Sequence, residues 1–217
     1  MSQTPFTVQF WGEIDYLSAW NRQTVLFEEQ IALKSSGLPT TNTLILCSHP
    51  HVYTLGKNGQ AANMLLDDGS VPLIRTNRGG DITYHGPGQI VGYPVFDLET
   101  FHLGLKNYIA KVEAAIIRVL DDYGITGDRQ AGATGVWLTD NSGTRKICAI
   151  GVRGSHYITM HGFALNVNTD LSYFQRINPC GFIDKGVTSM QAELGHLIPL
   201  DAVREQLVHA FEQTFSR

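Results

Sequence analysis

Arg78-Gly79-Gly80-Asp81-Ile82-Thr83-Tyr84-His85-Gly86-Pro87-Gly88-Gln89 is the stretch on which the reading of this chain turns. It holds too much glycine for a helix interior, and its polar content is too particular for a generic turn. The Gly79-Gly80 pair leaves room for backbone to approach a ligand, and a cation and an imidazole flank it. Gly86-Pro87-Gly88 then turns the chain back into residues 90–96, Ile-Val-Gly-Tyr-Pro-Val-Phe, which read as an apolar strand. A loop of this kind between strands is where proteins usually place binding chemistry. The plainer alternative is a tight hairpin whose Arg78 and His85 are simply solvated.

Working outward, residues 7–10, 43–47 and 73–76 have the short β-like character of strands. Residues 15–33 place Leu17, Trp20, Val25, Leu26 and Ile31 at roughly helical spacing. Residues 105–123 form the clearest helix, with Tyr108, Val112, Ile116, Val119 and Leu120 on one stripe and Gly124 as its stop. Residues 134–138 and 146–152 read as strands joined through the hairpin residues Asp140-Asn141-Ser142-Gly143. A further strand over 157–168 returns through Gly154-Ser155. A short helix over 170–177 is capped by Asp170, and an amphipathic helix closes the chain over 201–215. Strands outnumber helices and do not alternate regularly with them. That pattern predicts an α+β fold, a mixed, mostly antiparallel sheet packed with helices.

The bulk numbers bound the function. At 217 residues, one domain spanning 1–217 is the default. Apolar residues make up 43% of the chain and charged residues 17%, ordinary for a globular protein. A net charge of −4 argues against general binding to nucleic acid or to an anionic membrane. No apolar run approaches the ~20 residues that span a bilayer, and the first ten residues lack signal-peptide character. Cys47, Cys148 and Cys180 are odd in number and lack CxxC spacing, which points away from disulfides and zinc and towards the reducing cytoplasm.

The three cysteines differ in setting. Cys47 and Cys148 sit among apolar strand residues and read as buried structural thiols. Cys180 lies in Asn178-Pro179-Cys180-Gly181, a turn able to present its sulfur, although a loop cysteine need not react. Lys146 opens an apolar strand: either it is a solvated hairpin lysine, or it is partly desolvated and suited to proton transfer. His85 and His161 stand equally as structural imidazoles or as groups lining a pocket, and no metal-ligand spacing accompanies them. Met64, Leu65 and Leu66, or Met160 and Phe163, are the apolar residues available to wall a ligand, or to serve as ordinary core.

Four separated motifs agree with one family. They are the glycine-rich run with Tyr93-Pro94 and Asp97-Leu98 behind it, Lys146-Ile147-Cys148-Ala149-Ile150-Gly151, His161-Gly162-Phe163-Ala164-Leu165-Asn166, and the turn at Cys180. Together they resemble the signature of the lipoyl(octanoyl) transferases. The resemblance implies the catalytic fold of the biotin and lipoate protein ligases. It also implies transfer of an octanoyl group from octanoyl-acyl carrier protein to a lysine on lipoyl domains of 2-oxoacid dehydrogenases or on glycine cleavage H protein. Cys180 would carry the acyl thioester and Lys146 would form a dyad with it. Substrate contacts would fall on Arg78, Gly79, Gly80, Asp81, Ile82, Thr83, Tyr84 and His85, on Ala149, Ile150 and Gly151, and on Gly162, Phe163 and Ala164, with His161 and Asn166 in support. Such an enzyme is expected to need neither ATP nor metal and to act as a monomer in the cytoplasm. A basic rim drawn from Lys57, Arg75, Arg145, Arg153 and Lys185 would steer acidic protein partners. The same fold also hosts ATP-dependent lipoate and biotin ligases, which activate a free acid and need no cysteine. A non-catalytic acyl-binding protein is the third reading.

Overall fold

Apolar runs that never alternate with polar residues need a sheet covered on both faces. β2 (Thr43–Ser48) and β6 (Gln89–Val95) are such runs, and they lie at the centre of the molecule. The computed structural model describes residues 4–178 and 186–216. Cys180 and Lys185 lie outside the described residues. β1 (Thr7–Glu13), β2, β6, β10 (Ile158–Asn166), β9 (Gly143–Ser155), β8 (Ala133–Asp140) and β7 (Asp128–Gln130) lie side by side in that order. β1 runs parallel to β2, the other neighbours on this path are antiparallel, and β11 (Gly186–Val187) adds parallel to β9.

Each central strand divides its side chains between two cores. Leu44, Leu46, Ile90, Phe163 and Leu165 pack under α2 (Leu105–Asp122) and α4 (Leu200–Phe215). Ile45, Cys47, Val91, Tyr93 and Ala164 pack under α1 (Tyr16–Ser35). The result is the expected mixed, mostly antiparallel sheet with helices against it.

α2 buries the predicted stripe of Tyr108, Val112, Ile116, Val119 and Leu120, and Gly124 follows it at φ +72°. α1 differs from its expectation. Leu17 and Val25 are exposed, and the buried residues are Tyr16, Ala19, Gln23, Phe27 and Gln30. The reason is polar. Gln23 Oε1 accepts the His161 N–H at 3.1 Å, and Gln30 Oε1 accepts the Thr41 N–H at 2.7 Å. Gln23 satisfies a buried backbone donor and Gln30 a partly buried one, and together they fix the helix's rotation.

The β9–β10 hairpin turns at His156 and Tyr157, both left-handed at φ +52° and +65°, two positions beyond the Gly154-Ser155 return expected from sequence. A second sheet, β4 (Leu73–Arg75), β3 (Val52–Leu55) and β5 (Ile82–His85), stands beside the main one. β5 is formed from the glycine-rich run itself. The segment predicted as a helix after Asp170 is a 3-10 turn, Leu171–Arg176, with Asp170 accepting the Ser172 N–H at 2.9 Å. It packs on the small sheet, with Tyr173 stacked face to face on Tyr84 at 4.7 Å.

Candidate active site

A cavity of about 310 Å³ opens between the two sheets, at the small end of the ~300–1,000 Å³ range of small-molecule sites. Arg78, Gly80, Asp81, Ile82, Thr83 and His85 contribute from the glycine-rich run. Lys146, Ala149, Ile150 and Gly151 contribute from β9, and His161, Gly162, Phe163, Ala164 and Asn166 from β10. Three segments far apart in sequence thus meet at one space, because β10 is the common neighbour of β6 and β9.

Two members of the expected set stand apart from that lining. Tyr84 turns its side chain into the small sheet's own core, where its hydroxyl bonds His51 Nδ1 at 2.6 Å. Gly79 serves the scaffold: its N–H donates to Val152 O at 3.0 Å, and a Cβ on Gly151 would lie 2.8 Å from Gly79 O. Here Gly79 brings the loop against β9, while Gly80 lines the cavity. Of the apolar candidates, Leu65 and Leu66 are exposed, Met64 packs on the small-sheet core, and Met160 is buried under α1. Phe163 lines the cavity while its ring stacks on Phe211 of α4 at 5.5 Å. Val91, Ile82, Ile150, Phe174 and Val187 are apolar members of the lining.

Arg78 is buried, and its guanidinium is spread over backbone. Nη2 donates to Thr54 O and Asp81 O, both at 2.7 Å, and Nη1 donates to Gly79 O at 3.0 Å. Nε and Nη2 also reach the Thr54 hydroxyl, at 3.2 and 2.9 Å. That hydroxyl in turn meets His85 Nε2 at 3.3 Å. On the other side of the ring, His85 Nδ1 meets Gln89 Oε1 at 2.8 Å. Gln89 Nε2 donates to Tyr84 O and Asn166 Oδ1, so its oxygen faces the imidazole and His85 carries its proton on Nδ1. Asn166 Nδ2 extends the chain to Thr188 O at 3.0 Å, and Thr188 N–H donates to Lys146 O at 2.9 Å. A continuous polar line therefore runs from Arg78 to the backbone of Lys146.

The two imidazoles are held neutral. Burial, with the nearby His49 and Arg78 charges, pushes His85 down to about 3. Burial with Arg78 and Arg153 pushes His161 down to about 3. His161 sits at φ +58° and donates from Nε2 to Asn77 Oδ1 at 2.6 Å. Burial also pushes the Cys47 thiol up to about 12, and that of Cys148 higher still. Neither of these two cysteines is a thiolate at neutral pH.

Lys146 sits on β9 opposite Val187 of β11, and both line the cavity. Its Nζ lies 4.5 Å from the centroid of the Trp137 ring. Thr54, Gln89, Asn77, Tyr16 and Tyr93 were not foreseen as site residues. Gln89 and Tyr93 stood inside the recognised motifs, whereas Thr54, Asn77 and Tyr16 carry no local signal. Of the expected basic rim, Arg145 is clamped by Asp140 and Glu193, and Arg153 lies over the Phe27 ring.

A profile of the lipoyl protein ligase A/B catalytic domain matches residues 15–212. An octanoyltransferase from Bacteroides thetaiotaomicron is 56% identical over 203 residues, covering 91% of this chain and 89% of its own. One from Parabacteroides distasonis is 51% identical over 212 residues, covering 94% and 96%. Among solved structures, a bipartite lipoate protein ligase from Thermoplasma acidophilum superposes with a TM-score of 0.71 at 17% identity, covering 98% of this chain and 84% of that one. A biotin protein ligase from Aquifex aeolicus does so with a TM-score of 0.56 at 12% identity, covering 96% and 70%. At such identities the likeness is one of fold.

Proposed function

The chain belongs to the lipoyl protein ligase A/B catalytic-domain family, and from that membership we propose that it passes an octanoyl group through a thioester on Cys180. It is an acyltransferase of lipoate biosynthesis that moves octanoyl groups. In the mechanism we favour, the Cys180 thiolate attacks the carbonyl of the octanoyl thioester on acyl carrier protein. The C–S bond to the phosphopantetheine arm breaks, and that sulfur leaves as a thiol with a proton from Lys146. A lysine amine on a lipoyl domain then attacks the enzyme thioester, forms the amide, gives up a proton through Lys146 and releases Cys180.

The observation that carries this reading is the position of Lys146. It faces a cavity whose lining includes Phe174 and Val187, residues that precede and follow Cys180 in the sequence. Support also comes from the other two cysteines, which burial keeps as thiols. A thioester is already activated, so the reaction as written uses neither ATP nor a metal. Among the described residues, no helix is long and apolar enough to cross a membrane.

The competing chemistry within this fold is ATP-dependent ligation of a free acid. Two assays on the purified protein separate them. Octanoyl-carrier protein and a lipoyl domain without ATP should give octanoyl-lysine, with parallel double-reciprocal lines. Octanoate-dependent exchange of pyrophosphate into ATP, with no transfer from the carrier protein, would overturn the proposal.

A further inference from the structure

β8 and β9 break register beside Lys146. Val136 faces Cys148, Trp137 faces Lys146, and Ile147 is the extra residue of a bulge. Residues directly opposite in an antiparallel pair share a face, so the bulge lays the Trp137 ring against the lysine. The ring is fixed from several sides. It is 3% exposed, and its Nε1–H donates to Ala133 O at 2.9 Å. Two residues before it, Gly135 takes φ +123°, where a Cβ would stand 2.5 Å from Cys148 O and 3.5 Å from Lys146 Cε. Its N–H donates at 3.1 Å to the buried carboxylate of Glu113 on α2. The Lys146 stem thus passes over a position with no side chain and ends over an aromatic face that attracts cations.

We propose that Trp137 is a positioning residue for acyl transfer, its ring holding Lys146 in place as the ammonium that stabilises the Cys180 thiolate. This rests on the Cys180–Lys146 reading above. The other charges near the pair are accounted for from each element. Glu113 is paired with Arg129 at 3.1 Å, Arg145 with Asp140 and Glu193, and Asp128, opposite Trp137 on β7, is exposed. Cys148 is a buried thiol. Arg78, Asp81, His85 and His161 line the same cavity: Arg78 and Asp81 hold loop backbone, and the imidazoles are neutral.

The test is the pH dependence of Cys180 alkylation by iodoacetamide in the whole protein, followed by peptide mass spectrometry. Trp137→Phe should raise the midpoint by about half to one pH unit, as loss of part of a cation–π contact would. Lys146→Ala should raise it further, and Trp137→Phe added to Lys146→Ala should produce no additional shift. A purely structural tryptophan would shift neither midpoint, or would shift both backgrounds equally, and either result overturns the inference while leaving the dyad intact. An unchanged midpoint in Lys146→Ala overturns the dyad itself, and the inference with it. If Trp137→Phe does not fold, fluorinated tryptophan incorporated into the wild-type and Lys146→Ala chains weakens the ring's face at constant shape and gives the same readout.

Discussion

His85 shows how a residue's surroundings set its chemistry. In sequence it is an imidazole beside a turn, equally able to be a structural group or one lining a pocket. In the fold it is buried between the Thr54 hydroxyl and the Gln89 amide, with the Arg78 charge close by. In the folded protein it is therefore a neutral hydrogen-bonding link at ordinary pH. The consequence for stability has a definite sign. The unfolded chain protonates its histidines near pH 6.5, whereas folded His85 resists down to about 3. Between these values the unfolded state binds more protons, so stability falls as pH falls, by up to about 1.4 kcal/mol per pH unit for each such group. Urea midpoints measured at pH 7 and pH 5 should drop less in His85→Gln than in wild type. Equal drops would show that the imidazole titrates freely in the folded protein. The residue's identity was legible in the sequence; its protonation was not, because Thr54 and Arg78 reach it only through the β3–β5 pairing.

At the scale of elements, the segment after residue 185 is tied to the strand that carries Lys146. Arg145 bonds Glu193 of α3 (Met190–Leu194) in a fork of two 2.7 Å contacts and bonds Asp140 at 2.9 and 2.8 Å. The Thr188 hydroxyl donates to the same Glu193 carboxylate at 2.5 Å. The carboxylate is largely shielded, so losing its charge costs more than a surface pair would, about 1–3 kcal/mol. The Arg145 fork holds the Glu193 carboxyl below the ordinary glutamate range, so Glu193→Gln should lower the thermal midpoint by several degrees at pH 7 and by progressively less as pH falls below that range. A midpoint equal to wild type at pH 7 would show that the fork contributes nothing. None of this was readable from the chain. Arg145 looked like a free cation for docking, and Glu193 lay in a stretch without a strong helical pattern. The strands and α2 were legible because their apolar runs are long and regular. α1 was assigned as a helix with its face partly right: Trp20, Leu26 and Ile31 pack on the core, but Leu17 and Val25 are exposed, and Gln23 and Gln30 turn inward to meet backbone donors.

Over the whole molecule, the glycine-rich run is the hinge between what sequence revealed and what only the fold supplies. Its composition marked a binding segment, and most of it does line the cavity. Gly79, however, packs the loop on β9, Gly88 packs on the backbone of Asn168, and the run's tyrosine builds the small sheet's aromatic core. The polar line from Arg78 through His85, Gln89 and Asn166 to Thr188 joins both sheets to the strand of Lys146. Such a line cannot be read from spacing, because it depends on β10 lying between β6 and β9. The mechanism we propose turns on one covalent event, an acyl group held on Cys180 between two protein partners. Intact-mass and peptide mass spectrometry of the protein after mixing with octanoyl-acyl carrier protein reads that event directly. The expected result is a single octanoyl adduct on Cys180 that disappears when a lipoyl domain is added. An adduct on another residue, or full transfer by Cys180→Ser, would contradict it.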